Sequence, residues 1–406
     1  MSYITITKSA QPSAPASNKQ TLFVNTDGFT QTLDDKGVLG SVGDHELFNY
    51  LRNSGFWFAQ RQAPGTLTTY SSVGGRIISA DGWGISNENA STQYRRVDTV
   101  GAAAESGLTS QFFGEFTKIT TTGKIQVSQV IESKDVAAMR GRTVRFQMRA
   151  KAIIGTPVTL KMGVIQLTSA GTTDTVPSGA GLFLTASGAN GVDPTLGTNL
   201  AWLAPKSGVT PDNATAQTNN VTCSVTTTWQ RFGFCVDVPT TAKNIIVMIW
   251  TDNQVVATNG FAISEVSLTD GYEVQTWAPQ SYDSEMTRVQ RYYQKTFAID
   301  TAPVQNAGVA TGCLRCILGK AAATALAAQF QWRYQVNLRA AATTLTTYNP
   351  AATNAQVRQI GGTAADLTAT ATANSTAQSV DITATGAAAG TVGDQCGVHV
   401  TADAEL

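Results

Sequence analysis

The chain has 406 residues, 42% of them hydrophobic and only 14% charged, with 28 basic and 28 acidic side chains in balance. Such a length suits roughly two to three domains with substantial cores, and the charge density lies well below the roughly 25% of an average globular protein. With no basic patch, sequence-independent nucleic-acid binding is excluded. No stretch reaches the roughly 20 apolar residues of a membrane-crossing helix, so no membrane insertion is expected, and Met1–Lys8 lacks an apolar core of signal-peptide length.

In chain order, small residues broken by Pro12 and Pro15 make residues 1–19 an extended arm. Leu22 and Val24 precede Asp27-Gly28, and Phe29, Gln31 and Leu33 follow it, a hairpin pattern. Residues 44–55 read as a short helix, with Leu47, Tyr50 and Leu51 at helical spacing and Gly55 to stop it. The region 1–55 is thus expected to be an anchoring arm, a hairpin and a short helix.

From Phe56 the pattern turns to strands: 56–61, 75–78, 81–86, 111–118, 124–130, 142–151, 157–167, 220–225, 230–238, 244–250 and 261–268. In 142–151, Val144, Phe146, Met148 and Ala150 alternate with Thr143, Arg145, Gln147, Arg149 and Lys151. That predicts an apolar face inward and a charged face toward water. Residues 133–140 read as one or two helical turns, with Ser133 as N-cap and Gly141 as stop. A polar loop is expected over 169–199. Strands at this spacing, with turn residues between them, predict a mainly β chain built on a sandwich at 56–271.

Residues 272–295 form a junction containing a short helix with Ser284 as its cap. Over 296–406 the composition shifts to Ala and Thr, with alternation at 329–338, predicting a small C-terminal β-domain. Its small side chains fill a wide core poorly, which points to packing between identical chains.

The five cysteines are Cys223, Cys235, Cys313, Cys316 and Cys396. An odd count speaks against a disulfide framework. Cys313 and Cys316 have redox or zinc spacing but no second pair, so they read as buried or partly buried thiols, and no metal or cofactor is expected.

Several segments resemble tailed-bacteriophage virion proteins. Pro12 to Gly28, running on to Asp35–Gly37, resembles the Pro/Ala linker and small β-unit that open phage fibre and head-fibre proteins. Gly55–Arg61 with Asp81-Gly82-Trp83 downstream, and Thr228–Phe232 with Phe261–Gly271, resemble strands of a jelly-roll related to carbohydrate-binding modules. Tyr272–Lys295 and His399–Leu406 resemble a junction and an ending found in tail-fibre proteins. The resemblance implies a virion appendage of tail-fibre, head-fibre or collar-fibre type, exposed on the particle as a homotrimer. Leu22, Val24 and Phe29 would belong to the part attached to capsid, collar or tail proteins. The alternative is a decoration protein that only packs against its neighbours.

No catalytic motif occurs. Asp81, Glu88, Asp98, Asp252 and Glu265 are scattered carboxylates with no pairing and no β-helix repeat, so no enzyme is expected. Host-surface glycan binding is the better match, because sugars stack on aromatic faces while Asn and Asp hold their hydroxyls. Trp202 at the end of the polar loop, with Asp252 and Asn253 after Trp250, are the candidate residues. Trp57, Trp83, Trp229, Trp250 and Trp277 read as core or junction residues. Asp252 and Asn253 alone give too few oxygens for calcium.

Overall fold

The computed structural model describes residues 21–24, 30–33, 39–41, 48–71, 76–88, 91–99, 107–119, 122–153, 157–175, 190–310, 312–320, 326–360, 366–373, 375–386 and 392–405. The chain is mainly β and divides into two compact units, Met1–Phe48 and Asn49–Leu406.

In the first unit, β1 (Thr21–Val24), β2 (Thr30–Leu33) and β3 (Leu39–Ser41) pair antiparallel in that order. The expected hairpin is therefore extended by a third strand. Leu22 and Val24 lie on β1, and Phe29 falls outside the described residues.

The second unit carries a jelly-roll sandwich and then a smaller β-unit. The sandwich comprises β4 (Thr68–Tyr70), β5 (Ile77–Ala80), β6 (Trp83–Asn87), β7 (Thr92–Asp98), β8 (Phe112–Lys118), β9 (Ile125–Ile131), α1 (Ser133–Met139), β10 (Thr143–Ala152), β11 (Val158–Leu167), β12 (Leu200–Leu203), β13 (Ala214–Ala216), β14 (Val221–Val225), β15 (Gln230–Asp237), β16 (Asn244–Thr251) and β17 (Gly260–Asp270). One sheet has six strands in the order β15-β10-β17-β8-β7-β4. The other has eight: β13-β14-β11-β16-β9-β6-β5, with β12 beside β11. Their facing sides share one core, including Trp83, Phe116, Phe146, Leu160, Phe234, Val247 and Ile263.

The alternation of β10 places Val144, Phe146, Met148 and Ala150 in that core. Its other face does not meet water as the pattern predicts. Arg145 and Gln147 are buried because the chain after β17 crosses over them. Arg145 Nη1 donates to Tyr272 O (3.0 Å), and Gln147 Nε2 donates to Gln275 O (2.7 Å). A covering segment more than a hundred residues away leaves no mark on local periodicity.

Three local expectations are corrected. Residues 48–55 carry no helix. Asn53 has φ of +50°, Tyr50 N donates to Leu268 O (3.0 Å), and Leu268 N donates to Asn49 Oδ1 (3.0 Å). The segment thus takes its backbone partners from β17, and tertiary pairing overrides a weak helical spacing. Nor is 56–61 a strand. Phe56, at φ +57°, stacks on Trp83 at 5.5 Å, while the Asn53 side chain accepts from Phe58 N (3.0 Å) and donates to Phe58 O (2.7 Å). The helix caps also shift: Glu132 occupies the N-cap of α1, and Ser133 instead donates from N and Oγ to Asp174 (2.9 and 2.8 Å). Gly141, at φ +72°, does end that turn.

Beyond the sandwich come α2 (Tyr282–Gln290), β18 (Tyr293–Lys295), β19 (Leu314–Ile317), β20 (Gly319–Lys320), β21 (Leu326–Arg333), β22 (Thr344–Tyr348), β23 (Val357–Gln359), β24 (Asp366–Ala373), β25 (Ser379–Gly386) and β26 (Gln395–Asp403). The cap of α2 is Ser281, whose side chain accepts from Ser284 N, so Ser284 is the residue capped rather than the cap. β18 to β26 form one antiparallel nine-stranded sheet, with β18, β19, β22 and β23 all pairing with β26. Its core is closed within a single chain by Phe330, Trp332, Tyr334, Leu338, Val380 and Val400.

Candidate functional site

In the eight-stranded sheet, alternate residues point away from the sandwich core. On β16 these are Ile246, Met248 and Trp250; on β11, Lys161, Gly163 and Ile165; on β9, Gln126, Ser128 and Val130. Val130, Ile165, Ile246, Met248 and Trp250 make a second apolar cluster on this outer face, packed by Leu196, Leu200 and Trp202. Trp202, opposite Ile165 across the β11–β12 ladder, stacks obliquely on Trp250 with ring centroids 5.5 Å apart. A Cβ on Gly163 would come within 2.5 Å of Trp202 Cζ3 and 3.1 Å of Trp250 Cζ3, so only glycine leaves room for the indole pair.

One ladder row below runs Ser86, Gln126, Trp250 and Lys161, each the direct cross-strand partner of the next. Lys161 is the one charged residue of β11, and it acts as a clamp. Its Nζ meets Asp193 Oδ1 at 2.6 Å and Asp252 Oδ1 at 3.1 Å. Burial alone would depress the Lys161 ammonium, but its hydrogen bonds to Asp193 and Asp252 outweigh burial and hold its pKa above the ordinary lysine value. Asn220 Nδ2 donates to Asp193 Oδ2 (2.6 Å), Gly191 N donates to Asp252 O (3.1 Å), and Lys124 Nζ donates to Val192 O (2.7 Å). Residues 190–193, at the end of the long polar loop, are thereby pinned over the strand ends.

Of the three glycan-binding candidates, Trp202 lies on β12, and Asp252 and Asn253 directly follow β16. Trp202 stacks on Trp250, two residues before Asp252; Trp202 is partly exposed, and Asn253 is exposed beside Asp252. Sequence reasoning missed Lys161, Asp193 and Asn220. The detectable signal was one lysine inside an apolar strand; its carboxylate partners lie on other segments and could not be assigned. Trp83, Trp229, Trp250 and Trp277 are buried as expected.

Three donors on this outer face are buried without a hydrogen-bond partner among the described residues: Ser86 Oγ, Ser128 Oγ and Trp250 Nε1. Ser128 stands two residues along β9 from Gln126, and Trp250 is paired directly with Gln126, so all three lie close together. Each such group carries a desolvation penalty of about 1–3 kcal/mol.

The five carboxylates weighed for catalysis do not converge. Asp81 is paired with Arg61 at 3.0 Å, and burial pushes its pKa up despite that cation. Glu265, at φ +51° in the bulge between β10 and β17, accepts from Ser110 N (2.8 Å) and Arg149 Nε (2.9 Å). Glu88 accepts from Lys124 N (2.9 Å), Asp98 accepts from Gln111 Nε2 (3.2 Å), and Asp252 belongs to the lysine clamp. Each is taken up in holding a loop or strand. Cys313, just before β19, and Cys316 within it face opposite sides of the sheet and offer no shared site. Among the described residues, no group of three His, Cys, Asp or Glu side chains is placed to hold a metal ion.

No protein-family model matches the chain, and no curated protein matches it by sequence. Some solved structures are similar to part of the chain. A putative sugar binding protein from Bacteroides thetaiotaomicron is 13% identical with a TM-score of 0.30, and the match covers 55% of this chain and 100% of that one. The TmCBM61 module in complex with β-1,4-galactotriose is 12% identical with a TM-score of 0.28, covering 55% of this chain and 99% of that one. The enzymatically active domain of bacteriophage CBA120 tailspike protein 4 is 12% identical with a TM-score of 0.29; 55% of this chain matches only 21% of that one.

Proposed function

We propose that this protein is a projecting component of a tailed-phage particle that binds host-surface glycan, without catalysis, through the outer face of its eight-stranded sheet. One observation carries the glycan reading. Trp202 and Trp250 form an indole pair whose Trp202 ring is partly exposed, and Asn253 stands exposed three residues after Trp250. A pyranose suits both features: its C–H face stacks on the Trp202 indole, and its hydroxyls bond an exposed amide.

The particle setting is supported by the resemblance of the flanking sequences and by the separation of Met1–Phe48 from Asn49–Leu406 as its own compact unit. In this reading the first unit, with Leu22 and Val24 on its opening strand, is the part held by capsid, collar or tail proteins. The protein is a homotrimer exposed on the virion. Two experiments test the proposal. An array of host surface glycans should capture the wild-type chain and not Trp202→Ala. Antibody-gold imaging of intact particles should label the surface. Labelled particles with no glycan captured would instead favour a decoration protein, and unlabelled particles would overturn the virion assignment.

A further inference from the structure

Cys316 on β19 and Cys396 on β26 are direct partners in an antiparallel ladder. Two residues further along the same ladder, Leu318 N donates to Asp394 O (2.8 Å). By the alternation of antiparallel pairs, Cys316 and Cys396 therefore form a hydrogen-bonded pair as well. Such pairs hold their Cα atoms about 5.5 Å apart, inside the roughly 4.4–6.8 Å that a disulfide spans, while their facing Cβ atoms, about 4.5–5.5 Å apart, close to about 3.5–4.5 Å when the bond forms. Both side chains lie on the face that packs the C-terminal core, Cys396 within it and Cys316 half-buried against it.

Cys313 is excluded from this pair by the pleat. A Cβ on Gly397 would lie 2.6 Å from Cys313 Sγ, so that thiol sits on the Gly397 side of β26. Gly397 and Cys396 are adjacent and point to opposite faces. The Cys-x-x-Cys spacing in the sequence thus divides its two thiols between faces, and the fold gives Cys316 a different partner.

We propose that Cys316 and Cys396 form an intramolecular cross-strand disulfide when the chain meets a small-molecule disulfide such as oxidised glutathione. The half-exposed Cys316 thiol loses its proton to solvent, and its thiolate attacks a glutathione sulfur. One glutathione thiolate leaves and takes up a proton. The Cys396 thiolate then attacks Cys316 Sγ in the mixed disulfide and expels the second glutathione. The two protein thiols are oxidised by two electrons, and one oxidised glutathione is reduced to two thiols. Burial pushes the Cys396 thiol up to about 11, with the nearby Cys316 and Asp394 adding to it, and burial also raises Cys316. Formation is therefore slow at neutral pH and accelerates as pH rises.

The test incubates the full chain with oxidised glutathione at about pH 9 and maps disulfides by mass spectrometry of a non-reducing digest. The expected result is a loss of about 2 Da, one peptide joining Cys316 to Cys396, and a thermal midpoint raised by several degrees that falls back with reductant. Cys313→Ser should keep the cross-link and Cys316→Ser should abolish it. A Cys313–Cys316 bridge, bridges between chains, a glutathione adduct that never resolves, or an unchanged mass would each overturn the proposal. The map of the unmodified chain decides even if a variant fails to fold.

Discussion

Arg52 Nη2 stands 2.7 Å from Glu405 Oε2, an ion pair closing 353 residues of sequence, with both side chains nearly sealed from water. Around it, Arg61 reaches Asp81 (3.0 Å) and Asp403 (2.8 Å), and the two guanidiniums lie over the rings of Tyr292 and Tyr293 at 3.6 and 3.9 Å. These contacts join the C-terminal sheet to the start of the sandwich. Removing one member of a buried pair strands the other.

Glu405→Gln should therefore lower unfolding free energy by about 3–5 kcal/mol at neutral pH, read by denaturant titration. Burial would raise the Glu405 pKa, but Arg52, Arg61 and Arg76 outweigh it and hold it below the ordinary glutamate range. A depressed carboxylate stabilises above its unfolded value and loses that contribution as pH falls through the folded one. The gap between wild type and Glu405→Gln should be full at neutral pH and shrink below about pH 4.3. A gap independent of pH would contradict the pairing.

Lys118, buried on β8 with its Nζ donating to Glu88 O (2.8 Å), has its pKa lowered to about 8 by burial, which outweighs the attraction of Glu88. As pH rises from about 8 toward the ordinary lysine value of about 10.4, the unfolded chain holds a proton that the folded chain has lost. Stability then rises with pH. The advantage of wild type over Lys118→Met should grow across that window in pH-resolved denaturation. A flat difference would mean the ammonium stays charged in the fold.

Gly163→Ala tests the indole pair without touching either indole. The added methyl collides with Trp202 and Trp250, and overpacking of this kind costs about 1–3 kcal/mol. Because the displaced ring is the proposed stacking surface, glycan affinity should drop at least tenfold. Ring displacement should also appear as a change in tryptophan fluorescence. Unchanged binding would remove Trp202 from the site.

Sequence carried the sandwich and most of its strands, because alternation in segments such as 142–151 records which face meets the core. An aromatic and polar groups at strand ends single out Trp202, Asp252 and Asn253, and in the fold Trp202 stacks on Trp250, two residues before Asp252. Sequence did not carry the burial of Arg145 and Gln147, the absence of a helix over 48–55, or the Lys161 clamp. All three depend on segments distant in the chain: 272–277, β17, and residues 190–193. The Cys316–Cys396 pairing was hidden for the same reason, since ladder register, not spacing, decides which thiols face each other.

Asn253 is exposed at the rim, so Asn253→Ala should leave stability within about 0.5 kcal/mol of wild type. Losing one hydroxyl–amide bond should weaken glycan binding by roughly three- to tenfold in calorimetry. An unaltered affinity would move the rim contact elsewhere.

The central claim is that the outer face of the eight-stranded sheet holds a sugar, and NMR titration of the indole N–H signals with the best glycan from the array tests it most directly. The Trp202 and Trp250 signals should shift together and saturably, while Trp332 in the C-terminal core stays still. Saturable binding that moves Trp332 and leaves Trp202 and Trp250 unchanged, or no shift at millimolar glycan, would contradict it.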